Sequence, residues 1–145
     1  MKKNAVISIS GTQCFGDEAP ETIELTTQGS YDYEPGRVII SYVETQMTGL
    51  EGVETVFAIE DEEKVTLTRS GKINSEMRFM LNQKHDSLYD MGFATLLLSV
   101  TARRITVLLN EKGGIFDLEY DVSLEQTACG TNGYHISVRV LEDET

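Results

Sequence analysis

Two charged side chains keep step with apolar ones in this chain of 145 residues. Arg69 follows Val65 and Leu67 at alternate positions, and Glu44 follows Ile40 and Tyr42 in the same way. Alternate residues of a strand share a face, so both charges should project to the apolar side. A charge taken out of water is costly unless it is paired or hydrogen-bonded. Three readings stay open: an interior ion pair or barrel-end plug, a polar anchor at the bottom of a ligand cavity, or strand ends that return both groups to solvent. Glu44 is the first choice of partner for Arg69. Tyr42, Phe79 and Tyr120 lie on faces of the same kind. With Glu44 and Arg69 they form the candidate ligand-binding set. The aromatics Tyr31 and Phe57 read as core.

No other constellation suggests chemistry. The only histidines, His85 and His135, have no His or Cys nearby, and His135 should face outward, opposite Tyr134 and Ile136. No metal site is expected, since metal binding needs convergent ligands. The acidic run Glu60 to Glu63 lacks calcium-loop spacing and its central glycine. Cys14 and Cys129 show neither CxxC spacing nor a neighbouring histidine, and so read as plain thiols. Gly11, Gly16, Gly113 and Gly114 precede no helix start, which rules out a phosphate-binding loop. The chain reads as non-enzymatic, with no catalytic residue and no cofactor.

Composition narrows the partners. Asp and Glu number 24 against 12 Lys and Arg, a net charge of -12. That excess argues against nucleic acid and against an anionic membrane surface, both of which want clustered cations. It reads as a solvated acidic surface or as a docking surface for a basic partner. Hydrophobic residues make up 40% and charged ones 25%, ordinary for a soluble globule, and the length suits one domain over 1–145. The stretch from Met1 lacks the long apolar core of a signal peptide, and the run Phe93 to Val100 is far too short to cross a bilayer. The expected compartment is the cytoplasm, with both thiols reduced.

The elements that must position these residues read as strands almost throughout. Phe116 to Leu124 shows the clearest alternation, with Phe116, Leu118, Tyr120 and Val122 on one face. Similar runs open at Ala5, Ile23, Val38, Val53, Val65, Met77, Ile105 and Tyr134, and Leu81 shares a face with Met77 and Phe79. Gly29 suggests a bulge or bend within the second strand. Turns are expected at Gly11 to Pro20, Glu34-Pro35-Gly36, Thr48 to Gly52, Glu60 to Glu63, Ser70 to Lys72, Gln83 to Ser87, Lys112 to Gly114 and Cys129 to Gly133. Phe93 to Val100 is apolar on both faces, as in a strand covered from both sides or one at a homodimer contact. About ten short strands without a helix point to an antiparallel meander closed into a barrel, or to a sandwich. Closure is favoured because an open meander would leave two bare edges.

Several short segments, in shared order, resemble the YwiB-like family of small proteins from Gram-positive bacteria. They are Gly29-Ser30-Tyr31, Ser41-Tyr42-Val43-Glu44, Gly49, Arg69-Ser70-Gly71, Arg78-Phe79, Tyr89 with Met91 and Phe93, Glu111-Lys112-Gly113-Gly114, and Tyr120-Asp121. Ala94 departs from the pattern, standing where the family carries a glycine. The resemblance implies a calycin-like (lipocalin-type) up-and-down β-barrel over nearly the whole chain, and a domain of unknown function with no catalytic role. By analogy with that fold, the expected function is a binding barrel for a small apolar or amphipathic molecule. The rival expectation is a protein–protein interaction module using the acidic surface or an exposed sheet face. An export signal being absent from the reading, Cys14 and Cys129 should both be free thiols. Counting thiols on protein unfolded in alkylating agent should find both, and a bond between them formed before lysis would contradict this.

Overall fold

The computed structural model describes residues 2–13, 21–44, 51–90, 94–125 and 127–141, with side chains except at 13, 89, 90 and 127–129. Cys14, Gly49, the turn positions 48–50, Met91, Phe93 and most of the loop to Pro20 therefore lie outside the described residues.

Period-two alternation is realised as ten antiparallel strands. They are β1 (Lys2–Gln13), β2 (Glu21–Glu34), β3 (Arg37–Val43), β4 (Glu54–Glu60), β5 (Lys64–Ser70), β6 (Asn74–Met80), β7 (Lys84–Asp90), β8 (Thr95–Asn110), β9 (Gly113–Leu124) and β10 (Thr127–Val140). Each strand pairs with its chain neighbours, and β1 pairs with β10 to close the ring. This is the expected up-and-down barrel. Closure runs through nine register pairs, from Ala5 opposite Val140 to Gln13 opposite Asn132.

One face of each strand fills the interior. Ile7, Ile40, Ile59, Val65, Leu67 and Ile136 are at most 1% exposed. Phe57 meets Phe116 edge-on at 5.8 Å between ring centres, an arrangement that adds to the gain from burial alone. At the end near the β8–β9 turn, Tyr31 stacks on Tyr33 at 6.5 Å and donates a hydrogen bond to the Asn110 carbonyl, 2.7 Å away. The middle of the barrel is thus packed with side chains.

Several details depart from the expected elements. The glycine-rich stretch Cys129 to Gly133, read as a turn, lies within β10, where Gly130 to Gly133 pair in register with Val122 to Glu119 of β9. The polar stretch Gln83 to Ser87, read as a turn, mostly belongs to β7, where Lys84 to Asp90 pair in register with β8. The two expected strands around Val100 and Val107 are one strand, β8, with a register shift between Ala102 and Arg104. That bulge turns Arg103 and Arg104 both outward, so the buried phase moves from even to odd positions and the strand reads as two. Leu81 lies outside β6 at 47% exposure, at the tight turn where Asn82 has φ 58. The ring also has a weak seam. β6 and β7 share only the register pairs Asn74 with Asp90 and Ser75 with Tyr89, plus a bridge from Met80 to Gln83.

Gly29 causes no register shift; it is a point of close approach between backbones. A Cβ there would lie 2.2 Å from the Ser41 carbonyl oxygen and 2.7 Å from Ile7 Cδ1. The β8–β9 turn uses glycine for conformation as well: Gly113 and Gly114 have φ of 114 and 136, in the region side chains avoid. Gly29→Ala should destabilise the barrel by about 1–3 kcal/mol, the usual cost of overpacking. Urea unfolding measures it; an unchanged midpoint would mean that β2 and β3 separate there freely.

Candidate ligand site at one end of the barrel

The inward face changes character near the end where β3, β5, β7 and β9 finish. A row of opposed residues crosses this end: Tyr42 faces Thr55, Thr55 faces Arg69, Arg69 faces Ser75 and Ser75 faces Tyr89. Across the barrel, Tyr120 faces Asn132, and Tyr134 lies one inward position further along β10. In-phase position puts the side chains of Tyr42, Thr55, Arg69, Ser75, Tyr120, Asn132 and Tyr134 on the interior side, so polar groups from six strands meet above the packed aromatic layer.

Arg69 does project inward, but its partner is not Glu44. Its Nη2 donates a hydrogen bond to the Tyr134 hydroxyl at 2.9 Å, across to β10. Its Nε is enclosed and has no protein partner. Burial alone would lower the Arg69 pKa; the Tyr134 hydroxyl, with Tyr120 and Tyr42, outweighs that and moves it up, so the guanidinium stays charged. Glu44 is 4% exposed and accepts a hydrogen bond from Thr55 Oγ1 at 2.8 Å through Oε1. Its Oε2 is enclosed and unpartnered. No ion pair joins Arg69 to Glu44 among the described residues. The expected pair is corrected for a plain reason: each charge is taken by a neutral hydroxyl from a different wall. Register across the barrel decides that, and strand phase alone carries no such information.

The aromatic members sit as expected. Tyr42, Phe79 and Tyr120 are 4%, 1% and 3% exposed. Phe79 packs on Tyr120 at 4.7 Å, Tyr120 stacks on Tyr134 at 6.3 Å, and Phe57 meets Tyr134 edge-on at 5.5 Å. The five candidate residues thus share one region. Four contributors were missed: Thr55, Ser75, Asn132 and Tyr134. Thr55 and Ser75 carried a usable signal, being polar residues in phase with Phe57 and Phe79. Tyr134 is in phase with Ile136 and Val138, yet its role as the partner of Arg69 follows only from closure.

Four enclosed side-chain atoms lack protein partners among the described residues: Glu44 Oε2, Arg69 Nε, Ser75 Oγ and Asn132 Oδ1. All four belong to this one end. Elsewhere among the described residues the buried side-chain polar atoms are satisfied, as native interiors usually are.

The outer face shows no comparable demand. The β9 acids Glu119 and Asp121 meet Arg104 and Arg103 of β8, and Asp117 meets the His135 ring of β10. His135 faces outward, as expected. These exposed pairs contribute little each, but they set Glu119 and Asp121 beside arginines. No group of three or more His, Cys, Asp or Glu able to hold a metal ion occurs among the described residues.

The interior phenols have a consequence for pH. Burial, aided by Tyr33 for Tyr31 and by Glu44 for Tyr42, raises the pKa of both above the ordinary 10.0. Burial is also the main cause for Tyr120, which is raised as well. A phenol with a higher pKa folded than unfolded binds its proton more tightly in the fold. Its stabilising contribution is complete below about pH 10 and is lost as pH rises beyond that. Phenolate absorbance during base titration should therefore show Tyr31, Tyr42 and Tyr120 ionising only as the barrel unfolds. Smooth titration of all six tyrosines near pH 10 in the folded protein would contradict it.

Comparison with known proteins matches this geometry. Residues 7–136 fit the model of a domain of unknown function, DUF1934. The chain is similar to the uncharacterised beta-barrel protein YwiB of Bacillus subtilis (strain 168), 28% identical over 123 residues, or 84% of each chain. Its structure is similar to the crystal structure of the ywiB protein from Bacillus subtilis. The TM-score is 0.82 at 23% identity, covering 97% of this chain and 94% of that one. The ten-strand ring, the shared fold and a family match spanning most of the sequence lead to one conclusion: this chain belongs to the DUF1934 family and is a β-barrel of the YwiB type.

Proposed function

We propose that the polar end of the barrel binds a small molecule and that Arg69 anchors it. One observation carries this reading. Among the described residues, an inward-facing guanidinium has a phenol as its hydrogen-bond partner, and its Nε is enclosed and unpartnered. An enclosed guanidinium nitrogen left without a partner is costly, and an anionic or strongly accepting ligand group removes that cost. The packed middle, with Phe57 and Phe116 fully buried, supports a ligand held by its polar head rather than one sunk along the barrel axis. Of the apolar and amphipathic molecules expected, the amphipathic kind fits. The protein acts as a binding module rather than an enzyme, and the cytoplasm is its proposed compartment.

A protein–protein module is a second reading with its own observation. Leu108 and Ile115 are opposite one another on the outer face of β8 and β9, at 66% and 37% exposure. Glu119 and Asp121 already meet arginines, so that reading rests on the apolar pair.

Native mass spectrometry of protein from its own cells tests the first reading. The parent should carry a bound small mass, and Arg69→Met should lose it while unfolding within about 1 kcal/mol of the parent. Replacing an inward charge by an apolar side chain of similar volume is often neutral. A bare mass for both proteins would contradict the proposal.

A further inference from the structure

We infer that the molecule bound at this end is a zwitterion, its anionic group on Arg69 and a protonated amine on Glu44. The inference rests on the proposed binding site but is carried by a different residue. Glu44 follows the last residue of β3, and its backbone is clamped: its N–H donates to the Val53 carbonyl at 2.8 Å, and its own carbonyl accepts from Gly52 at 3.1 Å. The side chain is thereby aimed inward, where Thr55 holds one carboxylate oxygen at 2.8 Å and leaves the other enclosed and unpartnered.

Arg69 stands on the other side of the same threonine, since Thr55 and Arg69 are register partners. Two opposite charges thus flank one residue and do not touch. Neighbouring strands lie about 4.8 Å apart, so the charged groups are on the order of one to two strand spacings from each other. Attraction would close that gap if the side chains were free. Each is held back, Glu44 by Thr55 and Arg69 by Tyr134 on the opposite wall.

The unpartnered atoms then define the ligand. Glu44 Oε2 and Asn132 Oδ1 can only accept hydrogen bonds, Arg69 Nε can only donate, and Ser75 Oγ can do either. A simple anion would satisfy Arg69 and be repelled by Glu44. A simple amine would do the reverse. A neutral polar molecule would supply hydrogen bonds and leave both charges uncompensated. A molecule with both charges, separated by a short chain, satisfies all of them. The aromatic layer of Phe57, Phe79 and Tyr120 closes the space beneath, so the ligand is small.

Calorimetric titration of the full chain with a graded series tests this. The probes are glycine, β-alanine, 4-aminobutanoate and 6-aminohexanoate, with butanoate and butylamine as single-charge controls. At least one amino acid of the series should bind tenfold or more tightly than either control, and Glu44→Gln should bring it down to the level of butanoate. If butanoate binds as tightly as every amino acid, the zwitterion is wrong, while anion binding at Arg69 stands. If no probe binds the parent, the zwitterion is also overturned, and the bound mass on native protein decides the Arg69 reading separately. Should Glu44→Gln fail to fold, the preference measured on the parent alone still decides.

Discussion

Closing the sheet on itself is the constraint from which the rest follows. When β1 pairs with β10, each strand acquires two neighbours and one face that can only look inward. The gain is the loss of both exposed edges, which would otherwise invite pairing with other chains. The demand is that every inward side chain be packed or partnered. Through the middle of the barrel this is met by aliphatic and aromatic groups almost wholly removed from water. The seam between β6 and β7, with its two register pairs, is where the ring is least tightly tied.

At one end the demand is not met by packing. Glu44, Arg69, Ser75 and Asn132 bring polar atoms into an enclosed place and leave them without protein partners among the described residues. A plug built for stability alone would pair the acid with the guanidinium, since each charge is the other's best available partner. The barrel instead spends hydroxyl groups, Thr55 on the acid and Tyr134 on the guanidinium. Neutral hydrogen bonds hold the charges in place without cancelling them. On the proposed reading, these two charges on paired strands are the preorganised groups that hold the ligand.

Much of this was legible in the sequence. Alternation around Ile7, Ile40, Phe57, Leu67 and Leu118 gave the strands, and the phase of Arg69 and Glu44 gave their inward direction. β7 was not legible because its pattern is inverted: Leu88 points out at 64% exposure, while His85 and Ser87 are partly covered. Seven register pairs to β8 hold it in place regardless. The length of β8 was hidden by the bulge at Ala102 and Arg104, which reverses the buried phase mid-strand. The partner of Arg69 was beyond reach for a deeper reason. Tyr134 comes 65 residues later and meets it only across the closed barrel, so the contact depends on the shape of the ring and not on any local pattern.

A high-resolution crystal structure of the protein isolated from its own cells separates a ligand site from a plug. Density for a bound molecule should touch both Arg69 Nε and Glu44 Oε2, with the hydrogen bonds to Tyr134 and Thr55 intact. Arg69 and Glu44 closed onto each other within about 4 Å, the ordinary ion-pair distance, with nothing between them, would contradict it and make this end of the barrel a plug.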